Sequence, residues 1–276
     1  MIPKVNAQEA DLAREAAKRV VETHERLVEY LRVGQTLAQI DSFVARTLEE
    51  LGCRSAFLGY RVPRSPAFPS HACLSVNECI VHGTAGSSAE AMRDGDVLKI
   101  DIGVVHKGWI GDAAWTYAFK RASEESARLM ACGRESLRRG VRTLRPGNTY
   151  LEWAKAVQGY VEGECGFHLV RGLGGHGYGR KLHARPFVSN TIPLSRHEWA
   201  DAHTPCTAGT LVAVEPMIAV GTGETAQRET ARYGLEWPVY TADGSMSVHY
   251  EHDVLITDGE PEVLTAGLER LPDVVG

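Results

Sequence analysis

Three features of this 276-residue sequence predict an α+β fold built from two similar halves. Amphipathic helices occur twice as pairs, a Leu-Arg-x-Gly-x-Thr junction sits inside each pair, and strand-like segments follow each pair. Residues 7–33 place Leu12, Ala16, Val20, Leu27 and Leu31 near helical spacing and end at Gly34. Thr36 opens the second helix, with Gln39 completing a capping-box pattern, and Leu37, Ile40, Val44 and Leu48 carry it to Gly52. Residues 59–70, GYRVPRSPAFPS, hold three prolines and read as a loop. Two apolar strands follow Gly95-Asp96 and are joined at His106-Lys107-Gly108. A second helix pair is expected at about 123–143 and 149–163, and strands at 210–220 and 247–257.

The stretch LRVGQTLAQIDSF…LEELGC (31–53) lines up with LRPGNTYLEWAKA…VEGECGF (144–167). Recurrent capping chemistry alone could produce such a pair of junctions. Duplication explains more, because strands follow both pairs. The expectation is a single catalytic domain over 1–276, with halves at roughly 7–120 and 121–266 and a site where they join. A formal charge of -5 leaves no basic footprint for nucleic acid. No run approaches the ~18 apolar residues that cross a bilayer, and the mixed charges of MIPKVNAQEADLAREAAKRV do not form a signal peptide. Six scattered cysteines without a CxxC pair read as reduced thiols of a cytoplasmic protein.

Acids in apolar strands carry the chemistry. In KIDIGVVHKGWIGDAAW (99–115), Asp101 and Asp112 interrupt two otherwise apolar strands. A turn at His106-Lys107-Gly108 would set them directly opposite each other, with Cβ atoms roughly 4.5 to 5.5 Å apart. Two carboxylates that close in an apolar setting require either a proton or a cation between them. Glu215 in LVAVEPM and Glu251 in VHYEHDVLI are further acids in apolar runs, and His176 lies among glycines in GGHGYGR. An ion-pair network would need matching bases in these strands, and only Lys99 is there. Four carboxylates and one imidazole suit a pair of divalent first-row ions better than one structural zinc.

These residues fall in blocks that resemble type I methionine aminopeptidases: SVNECIVHG (75–83), DGDVLKIDIGVVHKGWIGDAA (94–114), GGHGYGRKLHARP (174–186), VAVEPM (212–217) and YEHDVLIT (250–257). The similarity runs over about residues 7–266. It implies the pita-bread fold, with two pseudo-symmetric α/β halves and a central curved antiparallel sheet covered by two helix pairs. It also implies a metal-dependent aminopeptidase that removes N-terminal methionine before a small second residue. By the resemblance, Asp112 and Glu251 bridge two ions (Co, Mn, Fe or Zn), Asp101 completes one, and His176 and Glu215 complete the other. A hydroxide shared by the ions would attack the first peptide bond while Glu215 carries its proton to the leaving amine. His183 and His82 would hold the carbonyl or its oxyanion. Phe57, Tyr60, Cys73 and Trp237 fall where the family lines its methionine pocket.

Some positions depart from the family pattern. Leu182 replaces an aromatic residue beside His183, and Ala184 and Arg185 replace two acids. The segment from Arg61 to His71 is longer, and another insertion lies between Asn190 and Gly209. The changed entrance motivates a second reading, a dimetal aminopeptidase for another N-terminal residue or a small peptide in a specialised pathway. A non-catalytic pita-bread binding protein would have no use for the five ligands. Expected partners are nascent-chain or peptide N-termini, with no nucleic acid or membrane; only the resemblance brings in the ribosome. A monomer is expected because no apolar stripe is left over.

Overall fold

The computed structural model describes residues 2–63, 65–195, 197–230 and 234–276. Arg64 and Arg196, within the two expected insertions, lie outside the described residues. Among these residues no helix is long and apolar enough to cross a membrane. The chain begins with helices α1 (Ala7–Tyr30) and α2 (Leu37–Glu50), then strands β1 (Arg54–Ser55), β2 (Cys73–Val76), β3 (Cys79–Val81), β4 (Val97–His106) and β5 (Trp109–Phe119). Helices α3 (Glu124–Val141) and α4 (Tyr150–Gln158) follow, the latter widening into a π-helical turn at Gly159–Glu164. The second half continues with β6 (His168–Leu169), β7 (Gly174–Gly177), β8 (Ala184–Ser189), β9 (Leu211–Val214) and β10 (Met217–Ala219). Then come β11 (Thr225–Thr230), β12 (Gly234–Thr241), β13 (Ser247–His249), β14 (His252–Leu255), β15 (Glu262–Val263) and β16 (Val274–Val275).

The two helix pairs repeat in detail. Gly34 and Gly147 adopt φ of 92° and 95°, a left-handed conformation that glycine takes without a Cβ penalty. Thr36 and Thr149 then cap α2 and α4. Thr36 forms the expected reciprocal capping box with Gln39, whereas the Thr149 side chain makes no cap bond. Each threonine also bridges to a distant segment, Thr36 to Ala91 and Thr149 to Pro205. Helix α1 ends at Tyr30, earlier than the expected 33, because Leu31 turns to an extended conformation.

Helix α1 buries Ala10, Ala13, Ala16 and Ala17 together with Val20, Val21 and Leu27. The run of alanines permits close approach: a Cβ added to Gly111 of β5 would lie 2.6 Å from the Ala16 carbonyl carbon. Beneath α1, β4 pairs antiparallel with β5 along its whole length, and β2 flanks β4 on the other edge. A second sheet runs β15-β14-β9-β7-β8.

The register of the first hairpin differs from expectation. Lys107 and Gly108 both take positive φ, so they alone form a two-residue turn, and His106 pairs with Trp109. Asp101 therefore faces Ala114 and Asp112 faces Gly103. The two acids are diagonal neighbours on one face, not direct partners. The expected strands 210–220 and 247–257 are also interrupted. Glu215-Pro216 separates β9 from β10, and Tyr250-Glu251 separates β13 from β14. Pro216 has no N–H for a ladder, and the partner strands change sheets together: β9 pairs with β14, β10 with β13. Both acids thus sit at a shared break where two sheets meet.

Candidate functional site

That break opens onto a cavity of about 370 Å³. Around it stand all twelve residues singled out in the sequence: Asp101, Asp112, His176, Glu215 and Glu251, with His82 and His183, and Phe57, Tyr60, Cys73, Leu182 and Trp237. Strand β4 brings Asp101, with Cys73 of β2 directly opposite, and β5 brings Asp112. Glu251 reaches the same place because its N–H donates to the Ala114 carbonyl of β5 at 2.9 Å. His176 comes from β7, where glycines are obligatory: a Cβ at Gly175 would meet the Ala213 carbonyl oxygen at 2.3 Å. One group of mutually close ligand atoms comprises Asp112, His176 and Glu251; a second comprises Glu215, His249 and Glu251. Asp101 belongs to neither group, although it lines the same cavity.

The electrostatics call for cations. Burial, reinforced by neighbouring acids, pushes the carboxyl groups of Asp101, Asp112, Glu215 and Glu251 well above the usual range. The adjacent imidazoles cannot compensate, because burial drives His176 and His249 down to about 3 and leaves them neutral. Enclosed oxygens of Asp101 and Asp112 (Oδ1 in each) have no hydrogen-bond partner. Buried carboxylate oxygens left without partners in one cavity are the kind of hard donor that a divalent metal ion can take. Lys99, the one base in these strands, points elsewhere: its Nζ donates to the Asn77 carbonyl at 2.6 Å.

The two further histidines flank the acids. His82 adopts φ of 58°, a costly conformation for a non-glycine residue and one that tends to occur at working sites. Burial lowers its pKa to about 4. His183 lies with its ring centroid 4.3 Å from that of His176, and its Nδ1 is 2.6 Å from the Tyr60 hydroxyl. Burial raises the Tyr60 pKa, so the phenol keeps its hydrogen and can donate it to Nδ1. The His183 ring hydrogen then sits on Nε2. Tyr60 is thus both cavity wall and hydrogen-bond partner of His183.

The apolar end of the cavity includes Val62 and Phe68, which the sequence did not single out. Phe68 meets Phe57 and Trp237 edge-on, at 6.2 and 5.3 Å between centroids. Trp237 Nε1 donates to the Pro66 carbonyl at 3.0 Å, so the proline-rich segment builds this wall. Composition could not show which loop side chains turn inward. Asp253, Asn190 and His249 were also missed. Asp253 Oδ2 accepts the Asp112 N–H at 2.9 Å. Asn190 Nδ2 donates to the Glu215 carbonyl at 2.9 Å while its Oδ1 accepts from Trp153 Nε1. Asp253 and His249 bore the signal that revealed Glu251, a polar group in the apolar run SVHYEHDVLI. Arg185 does not simply add charge at the entrance; it pairs with Asp201, supplied by the 190–209 insertion.

Residues 11–258 match the model of metallopeptidase family M24. Methionine aminopeptidase 1 of Mycobacterium tuberculosis is 35% identical over 274 residues, covering 97% of this chain and 96% of that protein. Methionine aminopeptidase of Aquifex aeolicus is 32% identical over 259 residues, covering 94% and 96%. The crystal structure of methionine aminopeptidase from Rickettsia prowazekii superposes with a TM-score of 0.86 at 25% identity, covering 96% of this chain and all of that one.

Proposed function

The chain belongs to metallopeptidase family M24, and from that premise we propose that it removes the N-terminal methionine of peptides and nascent proteins whose second residue is small. Membership makes it a hydrolase of the pita-bread fold that works with divalent metal ions. The observation that carries the substrate assignment is the make-up of the cavity: four acids and His176, with Cys73 beside Asp101, and an aromatic slot formed by Phe57, Phe68 and Trp237. An unbranched thioether fits such a slot through dispersion and sulfur–aromatic contact. In this reading residues 1–276 act as one cytoplasmic catalytic unit, since the cavity draws side chains from both halves.

Asp101, Asp112, His176, Glu215 and Glu251 would hold the ions, since all five line the one cavity. Bound ions supply Lewis acidity and a water that is nucleophilic near neutral pH. The remaining work falls to the chain. Glu215 takes the proton from the attacking water and passes it to the leaving amine. His183, its ring hydrogen on Nε2, donates to the scissile carbonyl oxygen as charge develops there, and His82 supports the same oxygen. The apolar end excludes water and orients the first side chain, so the first peptide bond is the one presented.

The test is incubation of Co(II)- or Mn(II)-loaded protein with Met-Gly-x peptides and a panel varying the first residue. Release of methionine in preference to other residues is expected. Preference for a different first residue would overturn the substrate, and no turnover with any divalent metal would overturn the activity.

A further inference from the structure

His249 stands outside the ligand set assigned above, yet it is fully enclosed and touches one member of that set. Its Nε2 lies 3.1 Å from Oε2 of Glu215. Glu251 Oε2, at 4.0 Å, is beyond hydrogen-bond reach. The ring is held by its backbone: the His249 N–H donates to Thr116 Oγ1 at 3.2 Å, and the Thr116 hydroxyl donates to the His249 carbonyl at 2.7 Å. Thr116 lies on β5, the strand that carries Asp112, while His249 pairs across β10 with Met217, two residues beyond Glu215. His249 is therefore clamped between the strand that carries Asp112 and the strand that follows Glu215.

We infer that His249 is a positioning residue for Glu215, its Nε2–H holding Oε2 so that Oε1 alone faces the ions and the attacking water. In the metal-loaded site Glu215 is ionised and brings no hydrogen, so in this contact Nε2 is the donor. Oε1 remains on the cavity side, 3.8 Å from His176 Nε2. The other end of Glu215 is fixed by Asn190, which donates to its carbonyl. A carboxylate pinned at both ends keeps one oxygen free for proton transfer and does not swing into a two-oxygen grip on an ion. This rests on the reading of Glu215 as ligand and proton carrier. The competing role, in which His249 itself ligates an ion beside Glu215 and Glu251, makes a different forecast for a glutamine at the position. A glutamine amide can donate to Oε2 but does not replace imidazole as a metal ligand.

His249→Ala and His249→Gln are compared with the wild type for kcat and KM on a Met-Gly-Met peptide, for Co(II) stoichiometry by calorimetry and for the Co(II) visible spectrum. Losing a partner that orients a ligand costs about 10- to 100-fold in activity. The alanine variant is expected to lose kcat in that range with KM within about 3-fold, and the glutamine variant to recover to within about 5-fold of wild type. Both should bind as many Co(II) ions as the wild type. Loss of a Co(II) equivalent or of an imidazole-sensitive band in the glutamine variant, failure of glutamine to rescue, or unchanged kcat in the alanine variant would overturn the inference. A wild type that binds Co(II) but does not cleave the peptide would refute the proposed activity instead, and the Co(II) spectra would still report on His249.

Discussion

Replacing Gly111 by alanine tests how closely α1 must rest on the strand that carries Asp112. The added Cβ would lie 2.6 Å from the Ala16 carbonyl carbon, 2.7 Å from its oxygen and 2.8 Å from the Ala17 nitrogen. All three are helix backbone atoms, so no side-chain rotation relieves the overlap. Ordinary contact begins near 3.4 Å, and the helix must recede by most of an ångström along a seam packed with alanines. Overpacking of this kind costs about 1 to 3 kcal/mol. With an unfolding entropy of about 2.1 cal/mol/K per residue, that lowers Tm by roughly 2 to 5 °C for a chain of 276 residues. Calorimetry on Gly111→Ala, with Gly86→Ala as control because a Cβ there meets nothing within 4 Å, provides the measurement. The displaced strand should also weaken divalent-metal binding at the adjacent Asp112. Equal melting of the two variants would refute the reasoning.

Other perturbations have equally definite outcomes. Tyr60→Phe keeps the cavity wall but removes the hydrogen donated to His183; kcat should fall about 2- to 10-fold with KM little changed, as steady-state kinetics would show. Burial pushes His24 down to about 4 from 6.5, so the folded state resists its protonation. Its contribution is intact above pH 6.5 and is lost as acid first protonates the unfolded chain, about 1 kcal/mol by pH 5.5; Tm of His24→Gln should therefore vary less between pH 7 and 5.5 than that of the wild type. In chelator-treated protein the four raised carboxyl groups bind protons more tightly folded than unfolded, so stability should fall as pH rises from about 5 to 8. Added Mn(II) should remove that slope in thermal melts.

The sequence revealed the acids for a physical reason. A carboxylate is so costly in an apolar strand that Asp101, Asp112, Glu215 and Glu251 stand out one by one, and all four reach one cavity. The helix pairs were legible because capping at Thr36 and the glycines at 34 and 147 are local chemistry. Register was not. It depends on Lys107 accepting a left-handed conformation, which a lysine seldom advertises, and one changed turn residue turned direct partners into diagonal ones. Pro216 was visible, yet the break it makes at Glu215 was read as continuous strand. His249 and Asp253 escaped because they touch the acids from behind, one at the Glu215 carboxyl and the other at the Asp112 N–H, and pairing across the fold, such as Arg185 with Asp201 or Trp237 with Pro66, leaves no trace in nearby residues.

An anomalous-difference map from crystals equilibrated with excess Mn(II) bears most directly on the claim that these acids exist to hold cations. Two strong peaks are expected beside Asp112 and Glu251, one toward Asp101 and the other toward His176 and Glu215. A map without density there, or carboxylates turned away from one another around an ordered side-chain network, would contradict it.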